Sequence, residues 1–184
     1  MATRFRRVRG GGISASFTEP EAQLLQAMLT DLDALLGSLD DTAASGDDPL
    51  AELVGIGTAT AAPADPALAR LFPDGYTDDD AASADFRRYT QVGLRDARRT
   101  RIATALATLA AGAPGRQVLD AGAAQAWLGV LNDLRLVLGE RLEVTEDLEG
   151  MLAAMPPDDP RRPALGVYDW LGWVQETLVR ALVR

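Results

Sequence analysis

Six arginines crowd one stretch of the sequence: Arg87, Arg88, Arg95, Arg98, Arg99 and Arg101. A guanidinium presents a fixed fork of donors to carboxylates and phosphates. The stretch is therefore a candidate surface for an anion or an acidic partner, with Arg87, Arg88, Arg95 and Arg99 as its contact set. Arg88, Arg95 and Arg99 fall within a narrow arc of an ideal helix. The competing reading is a solvated helix face balanced by Asp85 and Asp96. A second group, Asn132-Asp133-Leu134-Arg135, sits inside the most apolar segment of the chain. Polar groups in such a place need partners, because an unmade buried hydrogen bond costs roughly 1–3 kcal/mol. Together with Arg98 they form either a structural network or the lining of a ligand pocket. Trp170 and Trp173, with Tyr168, are either the rim of a partner-binding surface or core aromatics at helical spacing.

What the sequence lacks excludes more than these groups suggest. It contains no Cys, no His and no Lys, so all 18 basic residues are Arg. Disulfides and thiol chemistry within these residues are excluded. So are Cys/His zinc sites, Ser-His-Asp and Cys-His nucleophiles, Schiff-base lysines and the lysine of a phosphate-binding loop. Paired carboxylates can do acid–base work without His, but among 27 acidic residues such pairs carry no signal. Asp78-Asp79-Asp80 suits a helix N-terminus; as consecutive residues their carboxylates point in different directions, and no metal site is assigned. No catalytic residue and no cofactor is assigned either, and the expected protein is not an enzyme.

The charge is uneven. Four arginines and no acid in residues 1–10 leave −13 on the remainder of a chain whose total is −9. That balance argues against direct nucleic-acid or anionic-membrane binding. No apolar run approaches the roughly 20 residues of a membrane span, and no apolar signal region follows the first arginines. The expectation is a cytoplasmic protein whose partner is another protein; the oligomeric state is not legible.

The elements that must position these residues are mostly helices. With 184 residues, 47% hydrophobic and only 5% aromatic, the core must be built from Leu, Val and Ala. The spacing predicts a mainly α, single-domain helical bundle over 1–184 with a short N-terminal β-hairpin at 4–17, turning at Gly10-Gly11-Gly12. Loops are expected at 40–48, 55–66 and 156–163, and a short helix at 49–54. Thr18 and Glu21 open a helix over about 19–39 in capping-box spacing, with Leu25, Leu29, Leu32, Leu36 and Leu39 on its apolar face. Between 78 and 111 the apolar stripe changes face: Phe86, Tyr89, Gly93 and Ala97 lie on one side, Leu94, Ile102, Ala105 and Leu109 on another. One helix cannot bury both against one neighbour, so a break capped by Thr90 is expected. Arg98 then falls inside the buried stripe of the second half. The best-placed acid to meet it is Asp133, the only carboxylate between Asp120 and Glu140, on a central helix over about 121–140. A final helix runs over about 165–182.

Three stretches in order carry a resemblance. They are Asp65-Pro66-Ala67-Leu68-Ala69-Arg70-Leu71-Phe72-Pro73-Asp74-Gly75-Tyr76, Trp127-Leu128-Gly129-Val130-Leu131-Asn132-Asp133-Leu134-Arg135-Leu136-Val137-Leu138-Gly139, and Val167-Tyr168-Asp169-Trp170-Leu171-Gly172-Trp173-Val174-Gln175-Glu176. The set resembles a family of actinobacterial proteins known as a domain of unknown function, whose named members are actinomycete oxidative-stress regulators. The resemblance implies a helical, non-enzymatic transcriptional regulator acting through a sigma factor or RNA polymerase. It also implies an alternative role as regulator or adaptor of Clp-type proteolysis, because family genes often neighbour that of a Clp protease adaptor. A third reading, from the residues alone, is a small-ligand binder using the Asn132/Asp133/Arg135 region. Redox sensing by a cysteine pair is closed to this sequence, which has no thiol.

Overall fold

The computed structural model describes residues 4–9, 11–43, 60–112 and 115–183. Three strands, β1 (Arg4–Arg7), β2 (Ile13–Phe17) and β3 (Gly115–Leu119), form one antiparallel sheet in the order β1-β2-β3. Six helices follow in chain order among the described residues: α1 (Glu19–Ala43), α2 (Pro66–Leu71), α3 (Asp80–Gly112), α4 (Ala121–Arg141), α5 (Leu148–Ala154) and α6 (Arg162–Val183). The fold is mainly α, and the expected hairpin is there as β1 and β2. It is extended by β3, for which the sequence gives no local sign: Leu119 pairs with Ile13 and Gly115 with Phe17.

Strand alternation turns Phe5, Ile13, Ala15 and Phe17 toward the helices, since successive side chains face opposite sides. They close on Trp127 of α4, which is fully buried. The Phe17 ring stacks on the Trp127 indole at 5.2 Å and Phe5 tilts against it at 5.9 Å. The indole N–H donates to Thr108 Oγ1 at 2.8 Å, which settles the one polar group of the largest core side chain. The unpaired edge of β1 is covered by α6, where Thr177 Oγ1 accepts from the Phe5 N–H at 3.1 Å. Helix α4 supplies Val130, Leu131 and Leu134 to the same core. Leu25, Leu29 and Leu36 of α1 and Leu171, Val174 and Leu178 of α6 complete it.

Several boundaries differ from those expected. Helix α1 continues through residues 40–43, so the loop read at 40–48 begins later. The rest of that loop, the short helix at 49–54 and residues 55–59 of the next loop lie outside the described residues. Pro66 belongs to α2, whose N-cap Asp65 accepts from Ala67 N and Leu68 N. Residues 162–163 belong to α6, and a short helix, α5, stands between α4 and α6.

The break at Thr90 is absent: α3 is one uninterrupted helix of 33 residues. Thr90 does not cap; its hydroxyl donates back to Phe86 O at 2.7 Å. The reason is that the inward face of α3 is continuous but not continuously apolar. Ser83, Arg87, Gln91, Arg98, Ile102, Ala105 and Leu109 share an arc about 100° wide on an ideal helix. All are buried except Arg98, which is largely so; Leu94, on the same arc and expected in the buried stripe, is 41% exposed. Phe86 and Tyr89, expected in a second buried stripe, are 38% and 61% exposed.

Candidate functional site

Helix α3 carries the arginines of two of the three groups that the sequence singles out. On the inner face, Asp133 of α4 is 3% exposed. Two arginines of α3 share its Oδ2: Arg98 Nε at 3.7 Å and Arg101 Nη2 at 3.3 Å. Arg98 also donates to Leu71 O at 2.7 Å and lies over the Phe72 ring at 5.0 Å. One side chain thereby joins α2, α3 and α4. Arg101 reaches Asp133 because residue 129 is Gly: a Cβ there would stand 2.6 Å from Arg101 Cδ. Burial pushes the Asp133 carboxyl up from its ordinary value, against the pull of Arg98 and then Arg101. Burial likewise lowers the Arg98 guanidinium, opposed by Asp133. Both shifts have the sign expected where desolvation exceeds mutual attraction.

The rest of the expected polar cluster divides: Asn132 keeps a side-chain hydrogen bond to Asp133, while Arg135 leaves it. Asn132 is exposed, on a groove between α3 and α4 that also holds Arg101, Gln125 and Gln175. Arg135 points away from Asp133 toward α6, donating to Gln175 Oε1 at 2.7 Å and lying over the Tyr168 ring at 5.2 Å. The sequence places Arg101 in the basic stretch but gives no pairing of it with Asp133. Its signal was its place one turn from Arg98 on the same helix face.

The arginine contact set is also divided. Arg87 is 8% exposed and corrects its assignment to a partner surface. Its guanidinium is engaged by Asp74 Oδ1 and by Thr60 O, at 3.0 Å from Nη2. It braces the segment before α3 and does not face solvent. Arg99 forks onto Asp33 of α1 at 2.9 and 3.2 Å, and Arg95 pairs with Asp96 at 2.9 Å. Arg88 is exposed, its guanidinium 5.8 Å from the Tyr89 ring centroid. Trp170 is half-buried against the core, while Trp173 is 41% exposed. Asp79, in the acidic run, caps α3 by accepting from Ala82 N at 2.9 Å.

The outer face of α3 holds what the polar reading overlooked. Phe86, Tyr89, Gly93 and Ala97 are all exposed and follow one another at helical spacing. Tyr76, 54% exposed, packs edge-on against Phe86 with ring centroids 6.5 Å apart. The stripe is the one whose change of face suggests a break in the sequence. It lies open on a helix whose other side is buried.

The comparisons with known proteins fall on the whole of this architecture. A family described as Domain of unknown function (DUF2017) matches residues 2–182. Proteins named "Oxidative stress regulator AosR" in Mycobacterium tuberculosis and Mycobacterium bovis are 35% identical over 201 residues, covering 100% of this chain and 89% of their own. A Mycobacterium leprae relative is 35% identical over 165 residues, 82% of this chain and 74% of its own. No solved structure matches. Among the described residues no helix is long and apolar enough to cross a membrane.

Proposed function

Given that the chain belongs to the DUF2017 family, we propose that it regulates the response to oxidative stress in the cytoplasm by binding a protein partner, without catalysing a reaction. The name of its mycobacterial relatives supports the regulatory half of this reading. The observation that carries the other half is the open stripe on α3. Exposed Tyr and Phe beside Arg have the composition of interface anchors. Gly93 and Ala97, one and two turns on, leave room for a backbone to come close. A partner helix laying its apolar face along Phe86, Tyr89, Gly93 and Ala97 fits this surface, and Asp85 and Asp96 beside the stripe suit basic residues flanking that face. A sigma factor, RNA polymerase or a Clp component is the class that the resemblance implies. The 184 residues contain no cysteine, so the oxidant signal does not enter through a disulfide within them.

The test places a photo-crosslinking amino acid at position 89, and at Glu149 as a control, in cells from which the native gene has been removed. One defined protein should be captured from position 89 and not from 149. Phe86→Ala/Tyr89→Ala should lose that protein in a purified binding assay, melt like the parent, and fail to restore survival in peroxide. Full restoration by this variant would overturn the reading.

A further inference from the structure

The outer face of the N-terminal sheet carries charge that no described group neutralises. The alternation that turns Phe5 and Phe17 inward turns Arg4, Arg6 and Ser16 outward. Arg4, Ser16 and Arg116 are register partners across the three strands. Arg4, Arg6, Arg7, Arg9 and Arg116 line a cleft of about 660 Å³ together with Trp173 of α6. No carboxylate lines it, and among the described residues none of the five arginines forms an ion pair. This happens in a chain of net charge −9, where Arg87, Arg95, Arg98, Arg99 and Arg101 all have acidic partners. Like charges held close repel one another, and a cleft that keeps five of them unneutralised is built for an anion from outside.

The other features narrow the anion. Adjacent strands lie roughly 4.8 Å apart, so Arg4 and Arg116 flank Ser16 across roughly 10 Å. The short serine leaves the space between them open, and its hydroxyl can donate into it. That gap suits a phosphate group reached from both sides by long guanidinium arms. Trp173 adds an exposed indole to the same cleft, a surface on which a planar base stacks. The volume lies in the range of small-molecule sites. An acidic peptide would satisfy the charge and leave the indole without a planar partner. A long duplex would meet the −13 carried by the chain beyond residue 10.

We propose that this cleft binds a nucleotide, its phosphates held between Arg4 and Arg116 over Ser16 and its base stacked on Trp173. The chemistry is shared by a free nucleotide and by a nucleotide within a single strand. The site is separate from the α3 stripe, and the inference stands whether or not that stripe docks a protein.

Calorimetric titration of the full chain at about 0.1 M salt, where exposed charges are screened beyond roughly 10 Å, tests it. The probes are adenosine triphosphate, inorganic tripolyphosphate, a short thymidine oligonucleotide and polyglutamate. One adenosine triphosphate should bind per chain, at least tenfold tighter than tripolyphosphate. Trp173→Ala should erase that difference. Arg4→Gln/Arg116→Gln should weaken nucleotide binding at least tenfold with an unchanged or higher melting temperature, because it removes self-repulsion. Ser16→Asp, which plants a carboxylate in the gap, should do the same and serves if the double variant fails to fold. A tighter oligonucleotide assigns the site to a strand; an equal or weaker one assigns it to a free nucleotide. Polyglutamate binding as tightly as the nucleotide, no preference for the nucleotide over tripolyphosphate, or full affinity in both charge variants would overturn the proposal.

Discussion

Truncating Asp133 to Ala tests the inner face of α3 directly. Two guanidiniums lose their shared acceptor, and they do not lose it equally. Opposite charges about 4 Å apart attract by about 4 kcal/mol at an effective dielectric of 20 and by about 1 kcal/mol in water. The Arg101 side chain is 32% exposed and can swing outward. That of Arg98 is 15% exposed and held by Leu71 O and the Phe72 ring, so it stays behind as a buried charge. Breaking a buried pair costs roughly 3–5 kcal/mol. One arginine can escape, and the raised Asp133 carboxyl shows that burying this acid is itself unfavourable. Both facts place the expected loss near the low end, about 3 kcal/mol. Urea unfolding followed by circular dichroism measures it, with Asp158→Ala as the control, expected within about 0.5 kcal/mol of the parent. A double-mutant cycle should give a larger coupling of Asp133 with Arg98 than with Arg101, although Arg101 is the nearer contact. Combining Asp133→Leu with Arg98→Met and Arg101→Met, which replaces the whole cluster by apolar side chains, should recover most of the loss. The pH dependence has a definite sign. The folded carboxyl titrates above the unfolded one, so between the two values the folded state binds more protons and stability rises as pH falls. The parent should therefore gain on Asp133→Asn as pH drops from neutrality to the ordinary carboxylate range, and level off below it. A loss under about 1 kcal/mol for Asp133→Ala, or a coupling to Arg98 near zero, would refute the argument.

Thr108→Val leaves the fully buried Trp127 N–H without its acceptor and should cost about 1–3 kcal/mol in urea unfolding. Thr104→Val, which removes only a bond to Thr100 O of the same helix, should be nearly neutral. Gly12→Ala combines φ +85° with a Cβ 3.0 Å from Leu119 O; about 1–3 kcal/mol of strain is expected, more than for Gly11→Ala, whose Cβ meets nothing within 4 Å. Arg87→Ala removes charge-assisted bonds worth roughly 1.5–3 kcal/mol. Amide exchange over the first three turns of α3 should quicken about 10- to 100-fold, while Ile102 to Leu109 keep their protection; equal acceleration along the whole helix would argue against this.

Legibility in the sequence followed the way each element is buried. Helices α1 and α6 place one apolar stripe on one core, so leucine spacing alone located them, and Thr18 with Glu21 marked where α1 begins. Strand β3 was illegible because Arg116, Gln117 and Val118 include only one apolar side chain, and that one faces out. Its partner β2 lies about a hundred residues earlier, beyond any local pattern. Asp133 stood out as the one carboxylate between Asp120 and Glu140, on an apolar helix. Which arginine of α3 would approach it depended on how two helices cross and on the space left by Gly129, which spacing along one helix does not encode. The basic sheet face was visible only as four arginines near the N-terminus. It became a cleft when β3 brought Arg116 alongside and α6 brought Trp173.

The misplaced break in α3 and the open stripe have the same origin. A helix buried through apolar residues announces its inner face; the first half of α3 is fastened through Ser83 to the Tyr76 backbone and through Arg87 to Asp74 and Thr60. Only from Ile102 onward does apolar packing take over. Tyr89 takes no part in that attachment and remains outside, while Phe86 packs on Gly75 and Tyr76 at its rim. The half of α3 that presents the stripe is attached through polar contacts, while the Arg98–Asp133–Arg101 cluster marks where the helix joins the apolar bundle.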